Sequence, residues 1–186
     1  MADDNDLDFT HLGSTKPVPQ PTREQMAEAR QKTISGLPSL KKTGYYVNIS
    51  NRPTQRIIPR SQGKYELLII DHEQNAILPI ALALMLAGFN VRSAENREEI
   101  ITQLRKPPLP DALMLDIALP GLNGLDLLAR IHQHPQLQTT PILVVTSKFD
   151  EENVTAVLAR GASGYMTKPC KPETLVDSVH AILGVT

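Results

Sequence analysis

The chain has 186 residues, 41% of them hydrophobic and 21% charged, with a formal net charge of −1. That suits one well-buried domain plus an appendage, and a near-neutral balance gives no general attraction to nucleic acid. A single cysteine, Cys170, excludes an internal disulfide. With an acidic start over residues 1–8, where a secretory signal would be basic and then apolar, this points to a soluble protein of the reducing cytoplasm.

Residues 1–63 and 64–186 differ in composition. The first part holds six prolines and a segregated charge pattern: four aspartates in residues 1–8, then eight Lys or Arg and no acid over 29–65. It is expected to be a mostly irregular, basic extension that could dock a partner. One helix is predicted from Arg23 to about Thr33, with Thr22 as N-cap, Gln25 in the capping-box position, and Gly36 and Pro38 beyond its end. Residues 45–49 could form a short strand.

From Tyr65 onward strand-like and helix-like runs alternate. Strands are predicted over 66–71, 90–94, 112–116, 141–146 and 164–168. Helices are predicted over 75–88, 96–106, 124–134, 150–160 and 172–183. The inner strands are apolar runs rather than alternating ones, so both faces of the sheet must be covered. Right-handed crossovers then give a flavodoxin-like, doubly wound (βα)5 α/β fold, with a five-stranded parallel sheet in the order 2-1-3-4-5. The helix following the first strand has no charged or hydrogen-bonding side chain between Ala76 and Phe89. This run is too short to span a membrane. Its outer face, with several of Leu78, Ala81, Leu82, Met85 and Leu86, should stay apolar and uncovered, which commonly marks an interface.

In such a sheet, ligands bind beyond the carboxyl ends of the strands. The polar residues fall there: Asp71 and His72 after the first strand, Asp116 after the third, Thr146 ending the fourth and Lys168 ending the fifth. With the first and third strands adjacent, Asp71 and Asp116 should face each other across one cleft. Two acids, a hydroxyl and an ammonium group suit a divalent cation and a phosphoryl group. A carboxylate can attack phosphorus to give an acyl phosphate, and a hard cation and an ammonium can offset the charge on the transferring oxygens. Neither a G-x-G-x-x-G nor a Walker A pattern occurs, which disfavours dinucleotide and P-loop enzymes.

Over about 64–186 the chain resembles the response-regulator receiver domains. The likeness is carried by 68–71 (Leu-Ile-Ile-Asp), 116–124 (Asp-Ile-Ala-Leu-Pro-Gly-Leu-Asn-Gly), 145–147 (Val-Thr-Ser) and 161–169 (Gly-Ala-Ser-Gly-Tyr-Met-Thr-Lys-Pro). It implies Asp116 as phosphoacceptor, with Lys168 and Thr146 as its catalytic companions. It further implies Asp71, Asp116 and the backbone carbonyl of Ala118 around Mg2+, Thr146 and Tyr165 as switch residues, and a cis Lys168–Pro169 bond. A histidine kinase or phosphotransfer protein would donate the phosphoryl group, and output would come through binding another protein.

Two departures matter. His72 stands where the family usually has a second metal-binding acid, and neutral imidazole is a poor magnesium ligand. Glu73 is the available substitute. Cys170 stands where phenylalanine is common in the family. A competing expectation is a receiver-like scaffold that takes no phosphate and works through its first receiver helix (76–89) and residues 1–63. The basic tract has no recognisable nucleic-acid-binding fold, so nucleic acid is not the expected partner.

Overall fold

The computed structural model describes residues 17–47, 57–61, 63–147 and 150–185. In chain order the elements are α1 (Arg23–Thr43), β1 (Tyr45–Val47), β2 (Glu66–Ile70), α2 (Gln74–Leu86), β3 (Asn90–Ala94), α3 (Arg97–Arg105), β4 (Ala112–Leu115), α4 (Gly124–Gln133), β5 (Ile142–Thr146), α5 (Glu151–Ala159), β6 (Gly164–Thr167) and α6 (Pro172–Leu183). The sheet runs β1-β6-β5-β4-β2-β3. Its five strands from β2 to β6 are parallel and have the expected 2-1-3-4-5 order.

Alternate residues of the inner strands serve opposite faces. Leu68, Ile70, Leu113, Leu115, Ile142 and Val144 join one buried cluster, with residues of α3, α4 and α5. Leu67, Ile69, Ala112, Met114, Leu143 and Val145 join the other, under α2 and α6. Side-chain caps start three of these helices: Asn96, Asn123 and Asp150 each accept backbone N–H bonds from the first turn. Each satisfies donors that a helix start otherwise leaves open.

Among the described residues of the extension, 17–47 carry a longer helix than its composition predicted. The Thr22–Gln25 capping box is formed as expected, but α1 continues through Gly36 and Pro38 to Thr43. Its buried residues are Ala29, Thr33, Gly36 and Leu40, a single stripe facing α5. Gly36 is buried within that stripe instead of ending the helix. Pro38 costs one backbone bond, to the carbonyl of Ile34. Both residues are exposed, so water can take that carbonyl. Gly44, at φ +78, ends the helix by donating its N–H to the Leu40 carbonyl. β1 then adds to β6 as a sixth, antiparallel strand. Residues 48–49 of the expected strand, the 1–8 acidic start and the basic positions 52 and 56 lie outside the described residues.

Where the extension meets the receiver half, at the amino-end rim of the sheet, the chain is pinned. Ile57 N–H donates to the Leu183 carbonyl (3.1 Å), and Arg60 N–H donates to Asp111 Oδ1 (3.1 Å). The Tyr65 hydroxyl donates to the Ile57 carbonyl (2.7 Å).

Candidate functional site

The register of β2 and β4 sets Ile70 beside Leu115, so Asp71 and Asp116 leave the sheet next to each other at its carboxyl rim. Their backbones are fixed there by the Asp71 N–H bond to the Ala94 carbonyl (3.2 Å) and the Asp116 N–H bond to the Ile70 carbonyl (2.8 Å). One oxygen of each carboxylate is held by the backbone two residues further on. Asp71 Oδ1 accepts the Glu73 N–H (3.0 Å), and Asp116 Oδ1 accepts the Ala118 N–H (2.8 Å). These are the local turns that aspartate favours. Gly124 supports the second: a Cβ there would lie 2.4 Å from the Ile117 Cα. Only glycine lets α4 begin against the backbone that follows Asp116.

The other oxygens share one cation. Lys168 Nζ lies 2.6 Å from Asp71 Oδ2 and 2.8 Å from Asp116 Oδ2. The three predicted groups therefore meet in a single pocket. The lysine's own N–H donates to the Thr146 carbonyl (3.0 Å), which anchors it across the end of β5. Burial by itself would lower the Lys168 pKa, but hydrogen bonds and charge from Asp116 and Asp71 outweigh it, so the pKa stands above the ordinary lysine value. The ammonium is kept charged, and the trio retains an excess of negative charge for a further cation.

Glu73 and His72 complete the rim. Glu73 is exposed, with Oε2 3.8 Å from Lys168 Nζ and Oε1 3.9 Å from His72 Nε2, so it stays within reach of the pocket. His72 Nδ1 is buried, lies 3.8 Å from Asp71 Oδ1, and has no hydrogen-bond partner among the described residues. Donor atoms of Asp71, His72 and Asp116 all lie within 4.8 Å of one another. The arrangement can hold a metal ion. The two carboxylates fit magnesium, whereas the imidazole at the third position does not. His72, doubtful as a ligand from its side-chain type, is thus brought to the site rather than turned away from it.

Thr146 ends β5 fully buried, between β4 and β6, and pairs in register with Thr167. Tyr165, one strand further out, is also fully buried, and its hydroxyl is pushed well above the usual tyrosine pKa by burial and by the charges of Asp150 and Asp116. The Lys168–Pro169 bond is cis, as the family resemblance implied. Burial likewise raises the Cys170 pKa, which makes it a poor nucleophile. Thr167 was not singled out by the sequence. Its N–H and hydroxyl both donate to the Gly44 carbonyl, at 2.8 and 3.2 Å. Nothing in its own strand signals this, because the partner comes from the extension.

The family model for the response regulator receiver domain matches residues 67–180. The phosphate regulon transcriptional regulatory protein PhoB of Pseudomonas aeruginosa is 36% identical over 119 residues, covering 63% of this chain and 51% of the relative. Protein PilH of the same organism is 30% identical over 117 residues, covering 63% of this chain and 96% of PilH. The chain thus spans about half the length of the PhoB relatives it matches. Among solved structures, a putative response regulator from Chloroflexus aurantiacus is 40% identical with a TM-score of 0.61, over 65% of this chain and 98% of that one. The chemotaxis protein CheY4 of Vibrio cholerae is 25% identical with a TM-score of 0.60, over 64% and 99%. With more than half of its length matched and the same fold around its acidic pocket, the chain belongs to the response regulator receiver domain family of two-component systems.

Proposed function

We propose that the chain is a phosphorelay response regulator that accepts a phosphoryl group on Asp116 from a histidine kinase or phosphotransfer protein and signals through altered binding to another protein. The observation that carries this is the convergence of Asp71, Asp116 and the Lys168 ammonium within 2.8 Å contacts. An Asp116 carboxylate oxygen bonds to phosphorus while the donor's P–N bond breaks, its electron pair leaving on the imidazole nitrogen. Lys168 turns toward a phosphoryl oxygen, and the Thr146 hydroxyl donates to another. Tyr165, behind Thr146 in the same layer, follows that movement. The carboxylates of Asp71 and Asp116, the carbonyl of Ala118 and, at the rim, Glu73 would hold magnesium, which supplies positive charge against the phosphoryl oxygens.

Residues 64–186 are the receiver in this reading, and 1–63 an extension that binds protein. A cytoplasmic location fits, and no described helix is long and apolar enough to cross a membrane. The exposed stripe of α2, with Leu78, Leu82, Met85 and Leu86 each more than half exposed, is proposed as a second protein-binding surface.

Incubation with acetyl phosphate and magnesium, followed by intact mass, tests the reading. A gain of one phosphoryl group that disappears in Asp116→Asn is expected; no gain would refute it. The competing reading, a scaffold that takes no phosphate, is favoured by one observation: a ring nitrogen stands where a third oxygen ligand would strengthen the metal site.

A further inference from the structure

β6 would be the open edge of the receiver sheet, with unpaired N–H and C=O groups that invite another chain. This chain fills that edge itself. β1 pairs with it antiparallel, Tyr45 against Met166, Tyr46 against Tyr165 and Val47 against Gly164. Beside it α1 lies along α5 through Ala29, Thr33, Gly36 and Leu40. The Thr155 hydroxyl donates to the Thr33 hydroxyl (3.0 Å) within this seam, which fixes the register of the two helices. Tyr165 belongs to the same buried cluster as Ala29 and Leu40. The α1 side of this seam is lean in apolar bulk: of its four buried residues only Leu40 is large and apolar, the others being Ala, Thr and Gly.

The covered edge is also joined to the site. The Gly44 carbonyl, at the end of α1, takes both donors of Thr167. The next residue, Lys168, bridges the two carboxylates, and both Thr167 and Lys168 are tied to Thr146.

We propose that residues 23–47 are a reversible intramolecular ligand of the α5–β6 face. They are docked while Lys168 bridges Asp71 and Asp116, and released when a phosphoryl group on Asp116 draws Lys168 and Thr146 toward itself. The bared face then accepts a protein segment of the same kind, a helix with a small-residue stripe followed by an edge strand. The trigger rests on the phosphoryl reading above; the docking does not. Linkage makes the coupling reciprocal, so removal of the docked segment favours the phosphorylated state.

Hydrogen exchange on the full chain tests this. With magnesium and beryllofluoride, a phosphoryl stand-in, amides of residues 23–47 should exchange about tenfold faster, within the usual range for coupled sites. Asp116→Asn should abolish the change. Beryllofluoride that is bound, as seen by fluorine NMR, with exchange across 23–47 unaltered overturns the proposal. Failure of beryllofluoride to bind counts against the phosphoryl reading instead, and Ala29→Glu then decides the docking by placing a charge in the seam. That variant should let 23–47 exchange freely while 66–183 keep their protection. Slow exchange of 23–47 in the variant, or a receiver that melts together with the extension, overturns the proposal.

Discussion

Replacing Lys168 by methionine keeps the reach and apolar bulk of the side chain and removes its charge. The ammonium contacts both carboxylates, and the Lys168, Asp71 and Asp116 side chains are 12%, 5% and 2% exposed. Removing one partner from a buried pair costs about 3–5 kcal/mol, because the remaining charge is stranded. The lysine keeps a narrow path to water, so a loss near 3 kcal/mol is expected. It arises largely from two like charges left facing each other, so Lys168→Met should cost less when one of them is already neutral. In the Asp116→Asn background, roughly 1–2 kcal/mol of the loss should be recovered. Urea denaturation of the two single variants, the double variant and the parent, without added metal, gives the cycle. Added magnesium should narrow the gap between Lys168→Met and the parent, since a cation at the carboxylates replaces the lost charge. A loss under about 1 kcal/mol, typical of an exposed pair, or the same loss in both backgrounds, would refute the reasoning.

Gly124→Ala forces a Cβ against the Ile117 backbone at 2.4 Å. It should cost about 1–3 kcal/mol and lower Tm in calorimetry; a variant melting with the parent would show that α4 can simply move away. Burial lowers the His132 pKa from 6.5, with hydrogen bonds to the Arg160 and Thr140 backbone opposing in part. Its stabilising contribution is therefore complete above the unfolded value of 6.5 and lost as pH falls through the lower folded value. His132→Gln should flatten the acid limb of a stability–pH curve, and parallel curves would contradict this. His72→Asp adds an oxygen ligand at the pocket and should tighten magnesium binding by about tenfold, or ~1.4 kcal/mol, in calorimetric titration. Unchanged affinity would mean that position 72 does not reach the ion.

The receiver half was legible in the sequence because its signals are strong and agree with one another. Runs such as Leu67-Leu68-Ile69-Ile70 are short, apolar and alternate with helix-length segments, as strands covered on both faces do, and Asp71, Asp116, Thr146 and Lys168 end such runs. The described element bounds fall within two residues of those expected. The extension was harder to read for a physical reason. Its buried stripe of Ala29, Thr33, Gly36 and Leu40 has helical spacing but little hydropathy, so no periodic signal stands out, and Gly36 and Pro38 read as stops. What makes α1 pack is shape and one hydroxyl pair, and its other half, Thr155 on α5, lies far away in sequence. His72 was ambiguous for a similar reason. Its residue type argued against magnesium, but only the backbone turn held by Asp71 and Glu73 shows where the ring goes.

The pinning of Ile57 and Arg60 at the rim opposite the acidic pocket has a quantitative consequence. An arm fastened at that end never diffuses away from the domain it covers, so rebinding is a unimolecular event that does not depend on how much protein the cell makes. For a segment joined to its binding face through the same chain, the effective local concentration is of order millimolar. A rival protein present at micromolar levels would then need to bind the same face roughly a thousandfold more tightly to compete while the arm is in place. On the docking proposal, the number of residues between 47 and 57 would therefore tune how readily a rival displaces the arm, and an insertion there would change it without touching any residue of the pocket.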